Sequence, residues 1–127
     1  MDLEIIADRR RRFAHVKPIV SINPKLGKIV IFQTTYDLAK KKVRLGDFEY
    51  VQCLLDKEDL SHFFIRPCKI NDEGAKKVTL SGRTRIIVAK LLLERLGYAA
   101  DETKQFPVSW NRDAKALEVD LKAPLKN

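Results

Sequence analysis

Short apolar segments bounded by glycine, proline or charged residues dominate the first half of the chain, and this pattern predicts strands. The segments cover residues 18–24, 28–32, 48–55 and 62–66. The last two flank the charged residues 56–59, which predict the turn of a hairpin.

One helix is expected between the second and third of these strands. Tyr36, Ala39 and Val43 recur at helical spacing, and Gly46 follows as a terminator. Thr34 or Thr35 precedes the apolar positions and is the expected N-cap. From the second strand onward, the first half therefore predicts a βαββ unit, which the strand over 18–24 precedes.

The second half repeats this order. A strand is predicted over 83–88, a helix over 89–96 that ends at Gly97, and a hairpin of strands over 105–110 and 115–121. An offset of 57 residues aligns Ile29 with Ile86 and Ile31 with Val88. We interpret this as a duplicated unit, and chance matching of short apolar runs is the alternative.

Composition divides the chain into five parts. Residues 1–17 form a basic N-terminal arm or helix, 18–68 the first βαββ unit, 69–81 a polar connection, 82–121 the second unit, and 122–127 a tail. One unit of about forty residues has too little core to be stable alone, so the two units are expected to fold together.

Several short sequences resemble the AbrB-type swapped-hairpin domains. They are Gly27-Lys28-Ile29-Val30-Ile31, Leu45-Gly46-Asp47 and Ile65-Arg66-Pro67 in the first half, and the segment 82–88 with Leu96-Gly97 in the second. Two such units in one chain are similar to the MraZ branch of that family. The resemblance implies an α+β fold in which two βαββ units interlock as a small, barrel-like pseudo-dimer. It also implies a DNA-binding regulator, and further dimerisation stays open.

The charge balance agrees with a polyanionic partner. Lys and Arg total 25 against 17 Asp and Glu, which gives a net charge of +8 in 127 residues. Such an excess attracts nucleic acid, although it also serves solubility alone. The chain contains no apolar run long enough to span a membrane, and acidic residues at its start argue against a secretory signal. We therefore expect a cytoplasmic protein without a membrane partner.

Arg83 and Arg85 are the leading candidates for contact with duplex DNA. Two residues apart on a strand, they are expected to share a face, and the resemblance implies arginines near this strand as DNA contacts. A solvated strand face paired with acids is the alternative. The other candidate phosphate contacts are Lys40, Lys41, Lys42, Arg44, Lys76, Lys77, Arg9, Arg10, Arg11 and Arg12.

Evidence for catalysis is poor. Common nucleotide, metal and nucleophile motifs are missing, so we expect no enzyme, no cofactor and no bound metal. Cys53 and Cys68 are interpreted as small buried hydrophobes, although Cys53 and His62 flank one turn and are candidates for a Cys–His contact.

The expected function is a transcriptional regulator, such as a repressor or an antitoxin, that docks on duplex DNA. The alternative is a protein-interaction module or inhibitor, of a phage or mobile-element type, whose basic face binds an acidic partner. For the regulator of the antitoxin type, a toxin is the candidate protein partner.

Overall fold

Nine strands and two helices lie within the described part of the chain, which comprises residues 2–4, 17–44 and 46–125 of a computed structural model. The strands are β1 (Ile19–Asn23), β2 (Lys28–Ile31), β3 (Tyr50–Asp56), β4 (Asp59–Cys68), β5 (Lys76–Lys77), β6 (Thr79–Ser81), β7 (Thr84–Val88), β8 (Lys104–Asn111) and β9 (Ala116–Asp120). The helices are α1 (Gln33–Val43) and α2 (Lys90–Arg95). The expected arm with Arg9, Arg10, Arg11 and Arg12 lies outside the described residues.

The strands form one antiparallel sheet in the order β5-β3-β4-β9-β8-β1-β2-β7-β6. Its two edge strands, β5 and β6, are separated in sequence only by Val78. The backbone N–H of Val78 donates to the carbonyl of Glu49 at 2.8 Å. Residues 76–81, which we call the closing segment, therefore connect the two edges and nearly close the sheet into a barrel.

The barrel interior is filled by alternate residues of the main strands. Ile29 of β2 faces Ile87 of β7, and Phe63 of β4 faces Val119 of β9. All four side chains are fully buried. Because side chains alternate across a strand, the neighbours of these residues point outward, and this places both polar and apolar side chains on the outer surface.

Helix α1 is attached to the barrel by two hydroxyl groups. The Thr35 hydroxyl accepts from the Ile19 N–H at 2.8 Å and donates to the Ile19 carbonyl at 2.6 Å. The Tyr36 hydroxyl likewise accepts from the Phe48 N–H and donates to its carbonyl, both at 2.9 Å. The rings of Tyr36 and Phe48 stack with centroids 4.4 Å apart.

The prediction that Thr34 or Thr35 caps this helix is wrong. Phe32 occupies the cap position without a side-chain hydrogen bond, and both Thr34 and Thr35 lie inside the first turn. The helix begins early because β2 already ends at Ile31. Inside the helix, the Thr35 hydroxyl is turned toward the β1 backbone instead of the helix end.

Two boundaries predicted between residues 69 and 88 differ from those in the structure. The polar connection over 69–81 contains the short strands β5 and β6, which pair with β3 and β7. Strand β7 begins at Thr84, so Arg83 lies in the turn after Gly82 and is not on the strand with Arg85.

Two hairpins in different halves have the same pairing register. Ile22 of β1 faces Ile29 of β2, and 57 residues further along Thr79 of β6 faces Ile86 of β7. Each half also contains a hairpin that follows its helix, β3 with β4 in the first and β8 with β9 in the second, although these two hairpins differ in register.

Candidate nucleic-acid interface

Arg85, one of the two leading candidates for contact with DNA, makes contacts within the protein instead. Its guanidinium carbon lies 3.6 Å from the centroid of the Tyr36 ring, and its Nη1 donates to Oε1 of Gln33. The side chain is half-buried, whereas Arg83 is exposed in the preceding turn. The two arginines therefore do not form a pair on one strand face.

Only part of the basic C-terminal end of α1 is available to bind a ligand. Lys40 donates to Asp47 at 2.9 Å, and this hydrogen bond raises the pKa of Lys40. Lys41, Lys42 and Arg44 are exposed at the helix end.

The concavity beside Arg85 has mixed charge. It measures about 170 Å³ and is lined by Asp47 and Glu49 as well as by Arg85. Two carboxylates beside one guanidinium cancel much of the positive potential, so this surface is a poor site for a phosphate.

A different surface brings lysines together. A concavity of about 440 Å³ lies on the outer surface beside the closing segment, and we call it the lysine groove. Its lining consists of Lys28, Lys76, Lys77, Thr79, Ile86 and Val88. None of these residues carries a carboxylate, so the positive potential is not cancelled within the groove.

Strand pairing accounts for this arrangement. Lys28 of β2 faces Val88 of β7, and Ile86 faces Thr79 of β6. Ile87 points into the core, so its neighbours Ile86 and Val88 point outward. Lys77 precedes Thr79 by two residues in the closing segment, which brings it to the same groove.

The sequence identified Lys76 and Lys77 as candidates, but it did not identify Lys28. One signal for Lys28 was present in the sequence. Lys28 and Val30 alternate with the buried residues Ile29 and Ile31, so they lie on the opposite side of β2. That alternation predicts an outward side chain, but it does not show that β2 lies beside β7 and the closing segment.

A second positively charged concavity shares Lys76 with the lysine groove. It is also lined by Lys57 and Arg95, and its lining contains no carboxylate. Positive charge therefore extends from β2 past the closing segment toward α2.

His62, the candidate partner of Cys53, is instead paired with carboxylates. Nδ1 of His62 lies 3.1 Å from Oε2 of Glu118, and Nε2 lies 3.3 Å from Oδ2 of Asp56. The hydrogen bond to Glu118, followed by the one to Asp56, raises the pKa of His62. Burial raises the pKa of Cys53 to about 11, which suppresses the nucleophilic thiolate.

Both cysteines are half-buried free thiols. Across the described ranges, no group of three or more His, Cys, Asp or Glu side chains is arranged to hold a metal ion. Neither described helix combines the length and the apolar character needed to cross a membrane.

Comparisons of the chain with protein-family models, with curated proteins and with solved structures gave no match.

Proposed function

We propose that this protein binds duplex DNA through the lysine groove and acts as a regulator of the repressor or antitoxin type. The observation that carries the proposal is the convergence of Lys28, Lys76 and Lys77 on one concavity without a lining carboxylate. The net charge of +8 supports the same partner.

Electrostatics favours a phosphate backbone as the ligand. Three ammonium groups that converge without acidic partners repel one another, and a polyanion relieves that repulsion when it releases its condensed counterions. Lysines recognise phosphates as point charges, so these residues would determine affinity and position but not sequence. Exposed Arg83 is a candidate for additional contact with DNA.

We also infer that the fold consists of two interlocked βαββ units of the AbrB type. The equal registers of the β1–β2 and β6–β7 hairpins, 57 residues apart, support a duplication. The pairings of β2 with β7 and of β4 with β9 each join a strand to its counterpart in the other unit. Each unit would thereby complete the barrel of the other.

A titration of dye-labelled duplex DNA at several salt concentrations tests the proposed function. We expect the logarithm of the affinity to fall linearly with the logarithm of the salt concentration. The double variant Lys28→Gln/Lys77→Gln should reduce that slope by about 2, at about 1 per phosphate contact.

Lys104→Gln is the matched control, because Lys104 is an exposed lysine on β8 outside the lysine groove. It should retain nearly the whole slope. Binding that is indifferent to salt, or an equal loss in the control and in the double variant, would contradict the proposal.

A further inference from the structure

The second positively charged concavity differs from the lysine groove in having a largely apolar wall. It measures about 500 Å³ and lies between α2 and β3, and we call it the leucine groove. The residues that matter for its chemistry are Leu54, Leu55, Leu91, Lys57, Lys76 and Arg95.

Leu91 is the unusual member of this set. It occupies the first turn of α2 and is 66% exposed, whereas its neighbours Leu92 and Leu93 are buried. An exposed leucine beside a groove with apolar walls leaves room for a second apolar side chain, whose burial there is favourable. Apolar character is of little use for binding phosphates, so this groove suits another ligand.

The edge of β3 lies along the same groove. Within the described residues, β5 pairs only with Tyr50 and Val51, so this edge has no strand partner from Gln52 onward. Cys53, Leu54 and Leu55 of that free stretch line the groove. An unpaired strand edge presents backbone donors and acceptors that an extended peptide can complete.

The charges around the groove indicate the composition of the peptide that would bind there. Lys57, Lys76 and Arg95 surround the apolar wall, and no lining residue is acidic. An occupant with carboxylates next to an apolar side chain satisfies both features. Nucleic-acid bases are a poorer fit, because the lining includes no aromatic side chain on which they would stack.

We propose that an extended, acidic, leucine-bearing segment of a partner protein binds in the leucine groove along the free edge of β3. Its leucine contacts Leu91 and Leu54, and its carboxylates pair with Lys57 and Arg95. This inference is independent of DNA binding, although both surfaces use Lys76.

The probe is a short dye-labelled peptide that alternates leucine and glutamate, titrated by fluorescence anisotropy. Wild-type protein should bind it, and Leu91→Ser should weaken binding about tenfold, because an apolar contact of about 1.4 kcal/mol is lost. Arg95→Gln should weaken it several-fold, and it should also reduce the salt dependence of peptide binding.

Leu80→Ser is the matched control, since Leu80 is 64% exposed and lies outside the leucine groove. It should bind the peptide as the wild type does. Thermal unfolding of each variant checks that the fold is retained.

Methylation of alternate peptide amides should weaken binding, because it removes the backbone hydrogen bonds to the edge of β3. Absence of peptide binding, equal effects of Leu91→Ser and Leu80→Ser, or indifference to amide methylation would each overturn the proposal. Duplex titration of Leu91→Ser separates the two functions, because this variant should retain full affinity for DNA.

Discussion

The guanidinium of Arg85 stacks on the ring of Tyr36, with its central carbon 3.6 Å from the ring centroid. Strand β7 is thereby joined to helix α1, and the hydrogen bond from Arg85 to Gln33 adds a second contact between the same elements. The contact gives Arg85 a structural role that is independent of any ligand.

Arg85→Ala should therefore destabilise the protein by about 1–2 kcal/mol, because a half-buried cation–π contact and a hydrogen bond are lost together. Arg83→Ala is the matched control, and its exposed turn position predicts a change within about 0.5 kcal/mol. Urea unfolding followed by circular dichroism measures both. Equal stability of the two variants would argue against a structural role for Arg85.

Removal of the Tyr36 hydroxyl and removal of the Tyr98 hydroxyl should have different effects on the stability of the protein. Tyr36→Phe leaves the buried N–H and carbonyl of Phe48 without their hydroxyl partner, which predicts a loss of about 1–3 kcal/mol. The buried hydroxyl of Tyr98 has no hydrogen-bond partner among the described residues, so Tyr98→Phe should be neutral or stabilising. Denaturant midpoints compare the variants, and a larger loss for Tyr98→Phe would contradict this account.

His62 should make stability depend on pH. Its pKa is raised, first by the hydrogen bond to Glu118, so its stabilising effect is present below an unfolded pKa of about 6.5 and is lost as pH rises through the folded value. The pKa of Glu118 is lowered, first by the hydrogen bond from Asn111 and then by that from His62. Its contribution is present above an unfolded pKa of about 4.3 and is lost as pH falls through the folded value.

The cluster thus contributes most between about pH 4.3 and pH 6.5. His62→Gln should remove the decline in stability above that window while leaving an acid limb from Glu118. Asp56 and Asp59 also raise the pKa of His62. The pKa of Asp59 is itself lowered, first by its hydrogen bond from the Ser61 hydroxyl, so Asp59 adds to the acid limb. The measurement is the unfolding free energy across the pH range, and an unchanged alkaline decline in the variant would oppose the assignment.

The two thiols should differ in reactivity. Burial raises the pKa of both, to about 11 for Cys53, and Cys53 borders the leucine groove on β3. A maleimide reagent should therefore label Cys53 slowly in the folded protein, and more slowly than Cys68. Mass spectrometry of digested samples measures both rates, with urea-unfolded protein as the reference in which they converge. Faster labelling of Cys53 would reveal an accessible thiolate there.

Sequence patterns predicted most of the main elements because strong local signals coincided. Alternating apolar residues marked β8 and β9, and glycine bounded β2 and β7. The short strands β5 and β6 were missed, because Lys76, Lys77 and the polar residues around them have no strand periodicity of their own. They are strands only because each supplies a partner to an edge of the sheet.

The sequence by itself determined the strand-rich α+β class, the excess of basic residues and the positions of most turns. Those properties depend on residues close together in the chain, such as Ile29 and Ile31 or Gly27. Only the tertiary structure decided which cationic side chains lie on the same surface. Strand order in a nearly closed barrel is set by pairings between segments that are distant in sequence. It placed Arg85 against Tyr36 and brought Lys28 to Lys77, from positions far apart in sequence.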